Sequence, residues 1–195
     1  PDHSPTIVTM AVLNQAHRCV RAWPEIADSL AGACWPGPWT LVLQRAAAIP
    51  DVVTAGGETV GVRWPSHPFI QAVIGACGFP LAAPSANLSE QISPTNADHV
   101  RHSLGHRLRL IVDGGQAQVG IESTVLDLSS HEPRILRPGM IHAESLLAVT
   151  GKPVRSADHA FGPLLSPGQL PRHYAPSTPL RVLAWTDEPD LLRQL

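Results

Sequence analysis

The stretch Pro80-Leu-Ala-Ala-Pro-Ser-Ala-Asn87, followed by Ser93-Pro-Thr95, constrains this chain most. It reads as a short buried strand that runs into a turn of small polar residues. Leu81, Ala82 and Ala83 suit a sheet core. Ser85 and Asn87 stand at alternate positions, so an extended backbone points their hydroxyl and amide to one side. Small residues between them let a ligand come close to the main chain. A strand end with convergent polar groups is where open α/β sheets bind ligands. The same residues also suit a plain Ser/Asn-rich turn.

The chain has 195 residues, enough for one domain with a real core, or one domain plus an appendage. A net charge of −2 argues against a broad electrostatic grip on nucleic acid but leaves room for a local basic pocket. The three cysteines, Cys19, Cys34 and Cys77, fall far apart without CxxC spacing. That usage predicts reduced, mostly buried thiols and a cytoplasmic setting. No apolar run reaches the ~18 residues of a membrane span, and the N-terminus does not read as a signal peptide.

Periodicity orders the elements. Helices are predicted at Ala11–Ala22, Pro24–Cys34, His67–Cys77, Asn96–Leu104 and His142–Val149. Strands are predicted at Thr40–Leu43, Thr59–Trp64, Pro80–Pro84, Arg107–Val112, Ser123–Leu128 and Arg134–Leu136. The last two are joined by Ser129–Pro133, a plausible hairpin turn. Helices and strands interleave, but the late strands come in succession, which favours an α/β fold with a mixed sheet. Lys152–Pro179, punctuated by Gly and Pro, reads as a linker or lid. Leu180–Trp185 and Glu188–Leu195 look like the opening strand and helix of a further α/β unit. The expected organisation is therefore a domain over 1–151, a linker over 152–178, and the start of a second domain over 179–195.

Several residues can carry chemistry. Arg63, at a strand end before Pro65, suits a carboxylate through its planar fork, or is an ordinary surface arginine. Gly120-Ile-Glu-Ser-Thr124 sets two hydroxyls at a strand start, fit for an anion or for a self-capping turn. Trp35-Pro-Gly-Pro-Trp-Thr40 is a rigid corner that could wall a pocket but reads first as structural. His99, His102 and His106 share a helical face at metal-ligand spacing, with no local acidic or Cys partner. An exposed His-rich face is the simpler reading. Neither a Walker loop nor a Rossmann glycine fingerprint occurs, so any ATP must be held another way.

In order and spacing, Trp35–Leu43, Thr59–Pro65, Pro80–Asn87, Asp113–Val125 and Pro133–Gly139 together resemble the YrdC-like family of threonylcarbamoyl-AMP synthases. Ser166-Pro-Gly-Gln-Leu-Pro-Arg-His-Tyr-Ala-Pro176 is similar to the interdomain linker of that family's long, two-domain form. The resemblance implies a YrdC-like twisted open mixed sheet flanked by helices. It implies condensation of L-threonine, bicarbonate and ATP, with Mg2+, into threonylcarbamoyl-adenylate and pyrophosphate for modification of tRNA. Arg63, Ser85 and Ser123 would hold threonine; Thr59, Asn87, Thr95 and Arg137 would hold the nucleotide; Tyr174 would close over the site. No covalent nucleophile or resident metal is implied. The family usually opens with a Pro-Thr-Glu-Thr-Val-Tyr-Gly-like strand and a Lys-x-Arg motif, and this sequence starts after both. Thr9 stands where the family usually has His. Two other readings are a YrdC-like domain of another carbamoyltransferase and a non-catalytic RNA-binding module.

Overall fold

The computed structural model describes residues 4–88, 91–156, 164–169 and 178–194. Its centre is a seven-stranded mixed sheet in the order β4-β1-β3-β2-β5-β6-β7. The strands are β1 Val8–Thr9, β2 Trp39–Gln44, β3 Thr59–Arg63, β4 Leu81–Ala82, β5 Thr124–Asp127, β6 Arg134–Arg137 and β7 Arg155–Ser156. Pairs β1/β3, β2/β5 and β6/β7 are parallel; β1/β4, β2/β3 and β5/β6 are antiparallel.

Alternation along the strands sorts the side chains onto two faces. Val8, Val60, Val62, Trp39, Leu41, Leu43, Leu126 and Ile135 point to one face and form the main core. Helices α1 (Leu13–Cys19), α2 (Glu25–Cys34) and α6 (Ala143–Thr150) add Ala16, Cys19, Ala27, Leu30, Ala31 and Leu146 to it. The other face carries Thr9, Arg63 and Thr40, with Val42 buried among them. The apolar face thus anchors the sheet, and the polar face is left for chemistry.

The caps follow the sequence. Pro68 opens α4 (Pro68–Cys77), which Gly78 closes at φ 73°, a left-handed conformation that glycine takes without strain. Asn96 caps α5 (Ala97–Leu104) by accepting the His99 N–H at 2.9 Å. Helix α1 is shorter than predicted: Val20 leaves it to bridge Arg45, and the Arg21 N–H bonds the Gln44 carbonyl. Local helix propensity loses there to an added rung on the sheet. A one-turn helix α3 (Asp51–Thr54) and strand β7 have no counterpart in the periodicity reading. Helix α7 (Glu188–Gln194) forms where one is expected.

Four expectations need correction. Arg107–Val112 alternates like a strand but pairs with no strand among the described residues, and Leu108, Leu110 and Val112 are exposed. Leu180–Trp185 likewise forms no strand; Leu180 is 87% exposed. Alternation supplies a face, but a strand also needs a neighbour to take its hydrogen bonds. Pro80–Pro84 pairs only at Leu81–Ala82, on the sheet edge, with Ala82 and Ala83 exposed, so it is not a buried strand. Cys77 is exposed; only Cys19 of the three cysteines is fully buried, and burial raises the Cys19 thiol above its ordinary range.

Candidate anion-binding site

The rigid corner between α2 and β2 sets the first part of the site. The Trp35–Pro36 peptide is cis, the Trp35 Nε1–H donates to the Trp39 carbonyl at 2.8 Å, and the Gly37 N–H donates to the Trp64 carbonyl at 2.8 Å. A Cβ on Gly37 would lie 2.5 Å from the Cys34 carbonyl oxygen, so only glycine fits the bend. The Gly37 carbonyl in turn accepts the Arg63 Nε–H at 3.2 Å. The corner is structural, and it aims Arg63.

Register brings the second arginine to the same face. Val125 lies opposite Arg137, whereas Leu126 lies opposite Ile135, so the β5/β6 pairing shifts by one residue between them. Without that irregularity Arg137 and Ile135 would share a face. With it, Ile135 enters the core and Arg137 turns to the face of Arg63 and Thr40. Burial pulls the Arg63 guanidinium below its ordinary pKa, and the positive charge of Arg137 adds to the effect. No acidic side chain pairs with Arg63 among the described residues.

Ser123 lies between these groups and is 1% exposed. Its hydroxyl sits 2.8 Å from Thr40 Oγ1 and accepts from Arg137 Nη2 at 3.0 Å. Arg137 Nε also donates to the Ser123 carbonyl, and Nη1 to the Pro167 carbonyl at 3.3 Å. The segment 164–169 therefore reaches the site: Gly168, at φ 94°, approaches so closely that a Cβ there would lie 2.9 Å from Arg137 Cδ. Ser166 is buried, and Gln169 Oε1 accepts the N–H groups of Leu165 and Ser166.

The Ser/Asn loop joins from the other side. Asn87 Nδ2 donates to the Leu88 and Gln91 carbonyls, both at 2.9 Å; its Oδ1 is buried and has no donor among the described residues. Ser93 Oγ donates to Glu122, the neighbour of Ser123. The Thr95 carbonyl accepts the Ala117 N–H at 2.7 Å. Ser85 is exposed on the stretch leaving β4. Thr9 lies opposite Arg63, and its hydroxyl donates to the Leu81 carbonyl at 2.8 Å.

Arg63, Ser123 and Arg137 thus meet, with the Asn87–Thr95 loop tied to them through Glu122. Thr59 does not join them. It lies at the opposite end of β3, about 13 Å away at roughly 3.3 Å per residue. Tyr174 lies outside the described residues. A cavity of about 620 Å³ is lined by Arg21, Arg45, Asp51 and Glu58, at the far end of β2 and β3. Another of about 420 Å³ lies between the Trp35–Pro38 corner and α6. Reading the sequence missed Thr40, the irregularity in β6, and the Gly37 carbonyl. Only Thr40 left a signal, a hydroxyl inside the apolar run Trp39–Leu43. The His99, His102, His106 face holds no metal-ligand cluster; none of three or more such residues occurs among the described residues.

The family model described as "Telomere recombination", Sua5/YciO/YrdC, matches residues 1–139. A threonylcarbamoyl-AMP synthase from Bacillus subtilis is 43% identical over 193 residues, covering 96% of this chain and 55% of that protein. One from Pyrococcus abyssi is 39% identical over 187 residues, covering 94% of this chain and 55% of its own length. This chain thus spans about half the length of the curated relatives it matches. The crystal structure of P. abyssi Sua5 complexed with L-threonine superposes with a TM-score of 0.85 at 39% identity, covering 91% of this chain and 53% of that one. Escherichia coli YciO shares the fold at a TM-score of 0.67 and 23% identity, over 75% of this chain and 71% of its own. A mixed sheet with one polar face, and sequence matches that run along nearly all of it, carry the same conclusion: the chain belongs to the Sua5/YciO/YrdC family.

Proposed function

We propose that this chain provides the substrate-binding domain of a threonylcarbamoyl-AMP synthase. The reaction condenses L-threonine, bicarbonate and ATP to threonylcarbamoyl-adenylate and pyrophosphate, and its product serves tRNA modification. The carrying observation is the pair Arg63 and Arg137 on one sheet face, near enough for one charge to depress the other's pKa. Two partly desolvated guanidiniums of like charge are costly together, and an anion between them relieves that cost. The substrates supply such anions: the threonine carboxylate, bicarbonate and the triphosphate. Names borne by the B. subtilis and P. abyssi relatives support the same reading.

Threonine and bicarbonate form a carbamate, whose oxygen attacks the α-phosphate as pyrophosphate leaves. The residues named here position and neutralise, and none acts as a covalent nucleophile. Arg63, with Ser85 and Ser123, holds threonine. Arg137, with Asn87 and Thr95, takes the nucleotide. Thr59 stands apart from these groups, separated from Arg63 by the length of β3. Because Ser123 bonds Arg137 directly, the threonine and nucleotide halves share one hydrogen-bonded unit. Tyr174 on the linker would exclude water from the mixed anhydride. The described residues form no acidic cage for Mg2+, so the ion would arrive on the ATP phosphates as part of the substrate. No helix among the described residues is long and apolar enough to cross a membrane, in keeping with a cytoplasmic setting.

The test is direct. Incubate the chain with labelled bicarbonate, threonine and ATP, then measure labelled threonylcarbamoyl-adenylate and pyrophosphate. The proposal expects both products only when all three substrates are present. Pyrophosphate released without threonine, or labelled product formed without ATP, would overturn it.

A further inference from the structure

Thr40 stands inside the apolar run of β2 and is fully buried. Its β-carbon carries a methyl and a hydroxyl, and the sheet sorts them. Strand β3 flanks β2 on one side and β5 on the other. On the β3 side Gly61 has no side chain, and a Cβ there would lie 3.4 Å from Thr40 Cγ2. The methyl fills that space. On the β5 side the hydroxyl lies 2.8 Å from Ser123 Oγ. A β-branched side chain has few rotamers to choose from, so this packing also aims the hydroxyl.

Two hydroxyl protons must be placed in this pair. Thr40 Oγ1 has no polar contact except Ser123 among the described residues. Ser123 Oγ has one more, Arg137 Nη2, which can only donate. If Ser123 donated to Thr40, the Thr40 proton would be left in the sheet with no acceptor, which is costly in a buried position. If Thr40 donates, Ser123 Oγ accepts twice, from Thr40 and from Arg137, and keeps its own proton. Val125 lies opposite both Thr40 and Arg137, and Ser123, two residues before it, shares that face. The remaining proton is thus a donor on the face of Arg63 and Arg137.

We propose that Thr40 is a positioning residue: it donates to Ser123 and so holds the Ser123 O–H toward a carboxylate oxygen of the bound amino acid. This rests on the reading of Ser123 as a threonine contact given above. The guanidiniums supply charge, which attracts any small anion. A hydroxyl held in one direction adds a preferred place for one oxygen of that anion. The Thr40 hydroxyl touches only Ser123 among the described residues, so its effect on the ligand passes through that one bond.

The experiment compares the chain with Thr40→Val, Thr40→Ser, Ser123→Ala and the double variant Thr40→Val/Ser123→Ala. Val keeps the shape of Thr and removes the donor; Ser keeps the donor. L-threonine binding is measured by calorimetry. Thr40→Val should weaken it about three- to tenfold, the usual worth of one hydrogen bond, and Thr40→Ser should stay within about twofold of the parent. ATP affinity should fall less than threonine affinity. In the Ser123→Ala background, Thr40→Val should add no further loss, because the bond it removes is already gone. Additive losses in the double variant, or a Ser variant as weak as Val, would overturn the inference. A readout independent of ligand is hydroxyl proton exchange followed by NMR. The Thr40 hydroxyl proton should exchange slowly with water in the parent and faster in Ser123→Ala, and the Ser123 proton should be the faster of the two in the parent. A protected Ser123 proton beside an unprotected Thr40 proton overturns the inference whether or not threonine binds. Absence of threonine binding with a protected Thr40 proton would support the donor direction and count against the proposed function alone.

Discussion

Arg137 ties two parts of the candidate site together. It reaches the Ser123 carbonyl and hydroxyl on one side and the Pro167 carbonyl on the other. Replacing it with Ala should weaken ATP binding by about tenfold or more, since a charge-assisted contact is worth roughly 1.5–3 kcal/mol. Threonine binding should fall less. Arg63→Ala should show the reverse preference if, as proposed, Arg63 takes the threonine carboxylate. Calorimetry with each ligand separately checks both, and equal losses for the two ligands would mean that the arginine supports the fold instead. A third residue-scale case is structural. Asp127 is 0% exposed and accepts from the Ser129 N–H at 2.9 Å, the Ser129 hydroxyl at 2.5 Å and Arg134 at 2.9 Å. Asp127→Ala should cost about 1–3 kcal/mol, most of it from the half-buried Ser129 N–H and hydroxyl losing their acceptor. Arg134 is half exposed and can return to water, so the ion pair adds little. Chemical denaturation measures that loss, and it should leave the relative affinities for threonine and ATP unchanged.

At the scale of elements, the caps were readable because each depends on one or two adjacent residues. Pro68 with Gly78, and Asn96, mark the ends of α4 and α5 where the sequence puts them. Asn96→Ala should cost about 1 kcal/mol by denaturation, the usual worth of an N-cap. It should also loosen the turn at Thr95, since Asn96 Nδ2 bonds Gln116 across the same loop at 3.2 Å. The strands were readable only where a partner exists. Thr59–Arg63 and Thr124–Asp127 have the right alternation and lie inside the sheet. Arg107–Val112 has the alternation too, yet gains no rung among the described residues. The facing of Arg137 was the least legible point. Plain alternation from Ile135 sends it into the core, and only the register shift against Val125 and Leu126 turns it to the site. Such a shift is a property of the pair of strands, and neither strand's sequence alone declares it.

For the whole molecule, the open question is how the linker works with the site. Ser166–Pro176 is similar to the family's interdomain linker, which implies a segment that closes over the site through Tyr174. The described part, 164–169, lies against Arg137, and Gly168 is where the close approach occurs. Gly168 also holds a φ of 94°, which side chains adopt with strain. Gly168→Ala therefore combines backbone strain with a clash at Arg137 Cδ, and should lift this segment from the sheet. The measurement is limited proteolysis between residues 164 and 176, with and without ATP plus threonine. In the parent chain, ligands should slow cleavage, because a lid drawn over the site is a poorer substrate for a protease. In Gly168→Ala, cleavage should be faster without ligand and less protected with it, while the sheet core keeps its denaturation midpoint. Cleavage at one rate in all conditions would sink the lid and leave the segment as a tether. Faster cleavage with ligand would mean instead that an incoming phosphate displaces the Pro167 carbonyl from Arg137 and opens the linker, the opposite direction of coupling through the same bond.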